Sequence, residues 1–174
     1  MAAFIRAAEL DVPELAVLGH SWGGMIAAGL PAAGIRPRTL ILLDPPHLTL
    51  ERLRALTESP TEQLYASPEA ALAAIRAENP TWSEGDVDAK AAGLTRFSPE
   101  GVLAVLLENG AWDAGLASLA APAAAGIPTW YVIGEWHAGG LIPGHAVSRL
   151  AARVGREHVL TIAGGPHSPQ RTHP

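Results

Sequence analysis

The sequence predicts an α/β protein with a doubly wound, mainly parallel sheet, and three observations support this prediction. Residues 39–43 and 129–133 are almost wholly apolar, as expected of parallel strands that are covered on both faces. Residues 15–18 form a third apolar run, which passes directly into a glycine-rich turn and a small-residue helical pattern. Helical patterns separate these runs, and the alternation of strand and helix favours a parallel sheet.

Local signals set the predicted elements at the start of the chain. Residues 1–11 place apolar side chains on one helical face and predict the end of a helix that leads into the strand at 15–18. Residues 22–33 predict a helix, which Pro31 should distort or end because proline lacks the N–H donor and clashes with the preceding turn. The next strand stops where Asp44 is followed by two prolines.

Residues 47–122 carry no strand signal and predict a helical cap inserted between two strands. Helices are expected to begin at four positions, each preceded by a serine that can cap the helix: Pro60, Pro68, Glu84 and Pro99. The core resumes with the strand at 129–133, a helix at 143–154 and a short strand at 158–162. The domain prediction is therefore a single core over residues 1–174 that contains this insertion.

Composition narrows the classes of function. The 174 residues are 48% apolar, which suffices for one buried core, and the formal charge of −5 with no basic cluster argues against a nucleic-acid partner. The chain has no cysteine, so a disulfide framework or a thiolate metal site is excluded. The uncharged run at 15–35 holds His20, Pro31 and five glycines, which make a poor membrane helix. We expect a soluble, cytoplasmic protein with no membrane partner.

The turn after the first strand is the strongest motif. It reads Gly19-His20-Ser21-Trp22-Gly23, with Ser21 at the apex between strand and helix. Such a turn should hold Ser21 in a strained backbone conformation and lift its hydroxyl clear of the sheet. Glycine is expected at 19 and 23 because side chains there would collide where strand and helix nearly touch.

This Gly-His-Ser-x-Gly-Gly run, set between an apolar strand and a helix, resembles the nucleophile elbow of the α/β-hydrolase family. The resemblance extends over nearly the whole chain but only to the later part of the family's pattern. It implies a nucleophile–acid–histidine triad with Ser21 as the nucleophile. It also implies that strands before residue 1 and a last helix after residue 174 are lacking, so that the core is incomplete at its N-terminus.

The base and the acid of the triad are sought beyond the carboxyl ends of other strands. His167 follows Gly-Gly-Pro in a segment that resembles the family's histidine loop, and we expect it to be the base. The family places the acid in the loop after the strand at 129–133, where Glu135 is the only carboxylate. We therefore expect Glu135 to be the acid, with Asp44 as the alternative, because some relatives draw the acid from that earlier position.

Further residues are predicted to contact the substrate. The backbone N–H of Trp22 directly follows the nucleophile and is expected to be one donor of the oxyanion hole. The resemblance places the second donor in a loop before residue 1. Four aromatic or imidazole side chains are expected to line the substrate pocket: His20, Trp82, Trp112 and Trp136.

These observations predict a serine hydrolase, esterase-like, that cleaves an ester or a related small carbonyl substrate through an acyl-enzyme. The resemblance implies no metal and no organic cofactor. The alternative is a truncated, non-catalytic hydrolase-fold remnant or a ligand-binding module. Because strands that would pair with residues 15–18 are not found, we also expect the chain to self-associate through this exposed strand edge, to aggregate, or to show at most weak esterase activity by itself.

Overall fold

A computed structural model describes residues 1–47, 51, 64–96, 98, 100, 101, 104 and 115–172. The chain divides into two compact units. The first unit comprises residues 1–47 and 114–169, and the second comprises residues 48–113 and 170–174. The predicted cap at 47–122 and the second unit begin within one residue of each other, but the second unit ends earlier and includes the C-terminal residues.

The first unit is built on a parallel sheet of four strands in the described residues. They lie in the order β1-β2-β3-β4 and comprise Ala16–His20 (β1), Thr39–Leu43 (β2), Thr129–Gly134 (β3) and Val159–Ile162 (β4). The pairing places Leu18 opposite Ile41 on β2, and Val132 of β3 opposite Leu160 of β4. The carboxyl ends of all four strands therefore meet at one edge of the sheet, where an α/β protein binds its ligands.

Helices pack on this sheet and bury its core. In the described residues of the first unit they are Ala2–Ala7 (α1), Trp22–Ala28 (α2), Gly115–Ala124 (α5) and Gly144–Val154 (α6). The main core joins α2, α5 and α6 to the inward residues of β2 and β3, among them Leu40, Leu42, Tyr131 and Ile133, all without exposed surface. A smaller cluster joins Ile5 of α1 to residues after α2.

The second unit contains the helices Pro68–Glu78 (α3) and Glu84–Leu94 (α4). Both begin where the sequence predicted, because Ser67 and Ser83 each accept a hydrogen bond from a backbone N–H of the first turn. Their apolar faces meet through Ile75, Val87 and Leu94. The predicted helix starts at Pro60 and Pro99 lie outside the described residues. A last short helix, Pro169–Thr172 (α7), follows β4.

Two features of the first unit differ from the sequence prediction. Helix α2 ends at Ala28 and not at residue 33. Pro31, which was predicted to distort or end the helix, begins a separate turn of 3₁₀-helix over Pro31–Ala33, as its missing N–H permits. Helix α5 was not predicted, because residues 114–126 are alanine-rich without a clear apolar period and contain Pro122. Helix α5 belongs to the first unit, which contains the sheet, since Leu116 and Leu119 are buried in the main core.

One edge of the sheet is open at strand β1, as the sequence suggested, and one face of the sheet is less covered than it suggested. In the described residues β1 pairs with β2 alone, and Leu18 on it is 61% exposed. Trp130 and Leu160 are exposed as well, so the sheet is not fully covered on both faces. Self-association through this edge stays a prediction. Within the described ranges, no helix combines the length and the hydropathy needed to cross a membrane.

Candidate active site

Ser21 lies at a sharp turn between β1 and α2. Its φ of 54° and ψ of −126° fall in a region that is costly for a residue with a side chain, as predicted for a nucleophile elbow. The surrounding structure holds this conformation: the Ser21 N–H donates to the Leu43 carbonyl over 3.0 Å, and the Gly24 N–H donates to the Ser21 carbonyl over 2.8 Å. Hydrogen bonds to β2 and to the start of α2 thus hold Ser21 in its strained backbone conformation.

The close approach of strand and helix requires glycine at one of the two predicted positions. A Cβ at Gly19 would overlap the Gly23 carbonyl group and come within 2.7 Å of the Gly24 nitrogen, so that prediction is confirmed. The same prediction for Gly23 is wrong, because a Cβ there would meet no atom within 4 Å. The second crowded position is Gly24, whose Cβ would lie 3.0 Å from the Pro45 Cβ.

His167 reaches Ser21 from the loop that follows β4. Its Nε2 lies 3.0 Å from the Ser21 Oγ, and the ring is about one third exposed. The two residues stand 146 positions apart in the sequence, and the carboxyl edge of the sheet brings them together. This is the contact that a nucleophile and its base require.

Asp44 holds the other ring nitrogen of His167. Its Oδ2 lies 2.7 Å from the His167 Nδ1, and its side chain is completely buried. Two backbone donors satisfy the same carboxylate: the Gly134 N–H donates to Oδ1 over 3.1 Å, and the Leu141 N–H donates to Oδ2 over 3.0 Å. Asp44 itself has a φ of 38°, so its backbone is strained directly after β2.

The carboxylate in contact with His167 is therefore Asp44, the alternative, and not Glu135, which the sequence favoured as the acid. Glu135 is exposed, and its Oε2 accepts a hydrogen bond from the Gly164 N–H over 2.7 Å. The physical reason lies in the contacts of the side chains. The His167 ring lies beside Ser21 at the end of β1, within reach of Asp44 at the end of the neighbouring strand β2. The Glu135 side chain is instead bonded to the Gly164 N–H.

The contacts fix the proton positions in this row of side chains. An ionised carboxylate can only accept, so the His167 Nδ1 carries a proton and donates a hydrogen bond to the Asp44 carboxylate. The His167 Nε2 is then the acceptor for the Ser21 hydroxyl. This arrangement can withdraw the proton from Ser21 and stabilise the positive charge that then develops on the imidazole.

His20 contacts the loop that carries His167. Its Nε2 donates to the His167 carbonyl over 2.9 Å, and the two imidazole rings lie 4.8 Å apart between centroids. His20 therefore packs against His167. A contribution of His20 to substrate binding stays a prediction.

The three tryptophans expected in the pocket lie in different parts of the chain. Trp82 belongs to the second unit, where it packs against the cluster of α3 and α4 and lies 4.3 Å beneath the guanidinium of Arg171. Trp136 begins the 3₁₀ turn Trp136–Ala138 after Glu135 and is 45% exposed. Trp112 lies outside the described residues. Their role as a pocket wall stays a prediction.

Trp22 is the first residue of α2, directly after Ser21. Its position agrees with that of the expected oxyanion donor, and this role also stays a prediction.

His47 lies three residues beyond Asp44. Burial lowers the pKa of His47, and electrostatic interactions with Arg149 and His145 lower it further. In the part of the chain that the structure describes, no group of three or more metal-binding side chains comes together.

The sequence matches a model of a known protein family over nearly its whole length. This model, described as "Alpha/beta hydrolase family", matches residues 2–174. Among curated protein sequences, none matches the chain significantly.

Solved structures share the fold at low sequence identity. E-2-(acetamidomethylene)succinate hydrolase is 18% identical with a TM-score of 0.67, and N-formylmaleamic acid deformylase from Pseudomonas putida S16 is 16% identical with a TM-score of 0.63. In each case the match covers 99% of this chain and 68% of the other. The thioesterase domain of the curacin biosynthetic pathway is 16% identical with a TM-score of 0.56, over 92% of this chain and 62% of that domain. The chain thus spans about two thirds of the length of these proteins.

Proposed function

The chain belongs to the alpha/beta hydrolase family, and we propose that it is a serine hydrolase that cleaves an ester or a related small carbonyl substrate. One observation carries the proposal: the row of hydrogen bonds from the Ser21 Oγ to the His167 Nε2, and from the His167 Nδ1 to the Asp44 Oδ2, over 3.0 Å and 2.7 Å. Ser21 is the proposed nucleophile, His167 the base and Asp44 the orienting acid. The earlier expectation for Glu135 is thereby replaced.

The proposed reaction has two stages. The Ser21 Oγ attacks the carbonyl carbon of the substrate while its proton passes to the His167 Nε2, and the buried Asp44 carboxylate stabilises the imidazolium. The bond to the leaving group then breaks, and the leaving group takes the proton from Nε2. In the second stage Nε2 accepts a proton from water, the resulting hydroxide attacks the acyl-serine ester, and Ser21 recovers its proton.

The oxyanion of each tetrahedral intermediate requires donors that are already in place. We assign one of them to the backbone N–H of Trp22, because in this fold the residue after the nucleophile supplies a donor. Loss of a single oxyanion donor costs roughly 10²–10³ in kcat in a well-studied hydrolase.

The chain spans about two thirds of the length of its structural relatives. The activity of the whole protein and its substrate are therefore proposals. We also propose a cytoplasmic location.

A fluorophosphonate probe tests the proposal without knowledge of the substrate, because it reacts with a serine only when a base activates it. We expect covalent labelling of the wild-type chain on the peptide that contains Ser21, and no labelling of Ser21→Ala. Ser148→Ala is the matched control, since Ser148 is an exposed serine on α6 whose hydroxyl donates to the Gly144 carbonyl. It should label as the wild type does.

The alternative function gives a different result in the same experiment. If the wild-type chain is folded by circular dichroism and is not labelled, the chain is a non-catalytic remnant or a ligand-binding module. Equal labelling of the wild type and of Ser21→Ala would show that another residue reacts, and would remove Ser21 as the nucleophile.

A further inference from the structure

We propose that Glu135 is a positioning residue that holds the loop carrying His167 in place for catalysis. This inference rests on the proposed function, because it assigns Glu135 a part in the action of that same base. The sequence placed Glu135 in the triad itself. The contacts give it a different task, one step removed from the reacting atoms.

Glu135 contacts the histidine loop at two consecutive residues. Its side-chain Oε2 accepts from the Gly164 N–H over 2.7 Å, and its own N–H donates to the Gly165 carbonyl over 2.7 Å. A third bond, from the Gly165 N–H to the Ile162 carbonyl over 3.0 Å, closes the turn at the end of β4. The loop is thus fixed at two points only two and three residues before His167.

We call the two hydrogen bonds from Glu135 to the histidine loop the clamp. The loop needs it because its two glycines leave the backbone conformation unrestricted. Two consecutive glycines lose more backbone entropy on folding than other residues would, and Gly164 adopts a φ of 68°. The hydrogen bond that the Gly164 N–H donates to the Glu135 side chain supplies the missing restraint. Pro166 then transmits the fixed geometry to His167, because its ring restricts the backbone between them.

The two loops also lie in direct contact. A Cβ at Gly134, the residue before Glu135, would come within 2.6 Å of the Pro166 carbonyl oxygen. The backbone of the histidine loop therefore packs against the end of β3 at van der Waals distance. A shift of Glu135 would move the support of the loop, and a displacement of about 1 Å at a catalytic group can cost on the order of 10² in rate.

The chemistry of Glu135 separates this role from that of a triad acid. Its Oε2 is already engaged by Gly164, and the His167 Nδ1 is engaged by Asp44. A clamp needs only an acceptor, which the amide oxygen of glutamine also provides. A triad acid needs a negative charge to stabilise the imidazolium, which glutamine lacks.

The experiment compares Glu135→Ala and Glu135→Gln with the wild type and with Glu157→Ala, an exposed carboxylate that precedes β4. The readouts are hydrolysis of p-nitrophenyl acetate and the rate of fluorophosphonate labelling. We expect Glu135→Ala to lower kcat by about 10- to 100-fold with little change in KM, as loss of base positioning predicts. Glu135→Gln should recover most of kcat, with the same pH profile as the wild type, and Glu157→Ala should behave as the wild type.

A second measurement does not depend on activity. Amide hydrogen exchange at Gly164 should be slow in the wild type and in Glu135→Gln, and faster in Glu135→Ala. Equal exchange at Gly164 in the wild type and in Glu135→Ala would overturn the clamp. A kcat of Glu135→Gln as low as that of Glu135→Ala, with the apparent pKa of the base lowered in both, would also overturn it, because it would make the charge essential. Failure of Ser21 labelling with normal exchange would instead reject the hydrolase and leave the clamp standing.

Discussion

The loops after β2 and β3 each present one carboxylate at the same edge of the sheet, and the two carboxylates have different surroundings. Asp44, after β2, is fully buried and accepts from two backbone N–H groups and from the His167 ring. Glu135, after β3, is exposed, and its side chain accepts from the Gly164 N–H. Asp44 contacts the His167 ring, and Glu135 contacts the loop that carries His167.

The difference shows that the hydrogen-bond partners of a carboxylate, more than its residue type, determine which one contacts the histidine. Asp44 directly follows β2, which pairs with β1, and two backbone N–H groups hold its side chain there. Its burial also makes the Asp44 carboxylate dependent on its donors, since a buried charge without partners is very costly. Glu135 lies in contact with water, and it can lose its partner at a lower cost.

The largest expected effect is on the rate of hydrolysis, which should differ between variants of the two carboxylates. Asp44→Asn should lower kcat by about 10⁴-fold, the size of the corresponding effect in a serine protease triad, because an amide can fix the wrong tautomer of the base. Glu135→Gln should stay close to the wild type. Steady-state hydrolysis of p-nitrophenyl acetate, or the labelling rate where turnover is low, measures both. A larger loss in Glu135→Gln than in Asp44→Asn would reverse the comparison.

A smaller effect is expected on the free energy of unfolding, which should also differ between variants of Asp44 and Glu135. Asp44→Ala leaves the N–H groups of Gly134 and Leu141 without their acceptor, and each unpaired buried donor costs roughly 1–3 kcal/mol. Glu135→Ala exposes the Gly164 N–H to water, so we expect a loss in the free energy of unfolding of about 1 kcal/mol or less. Urea unfolding followed by circular dichroism compares the two variants. Equal losses would show that Asp44 is not held by its backbone donors.

Much of the fold could be predicted because its signals are local. The apolar run at 39–43 coincides with β2, and the Ser-Pro pair at 67–68 marks the start of α3 at its observed residue. Helix α5 escaped prediction because an alanine-rich stretch with Pro122 inside it gives no period and carries an internal breaker. Such a helix is recognised by the core that it packs against, which is a tertiary property.

The site divides in the same way. Ser21 could be located from its flanking glycines and strand, and His167 from its loop after the last strand. The carboxylate that contacts His167 is held by backbone N–H groups 90 and 97 residues further along the chain, so a local pattern could only suggest it. The local signal for Asp44 was its place after an apolar strand and directly before two prolines.

The claim that Asp44 orients His167 is tested most directly by proton NMR of the chain with ¹⁵N-labelled histidine, which requires no substrate. The Nδ1 proton, shared with a carboxylate over 2.7 Å, should give an exchangeable resonance far downfield of the amide region. We expect this resonance in the wild type and in Glu135→Gln, and its absence from Asp44→Asn. A resonance that persists in Asp44→Asn and disappears in Glu135→Gln would contradict the assignment.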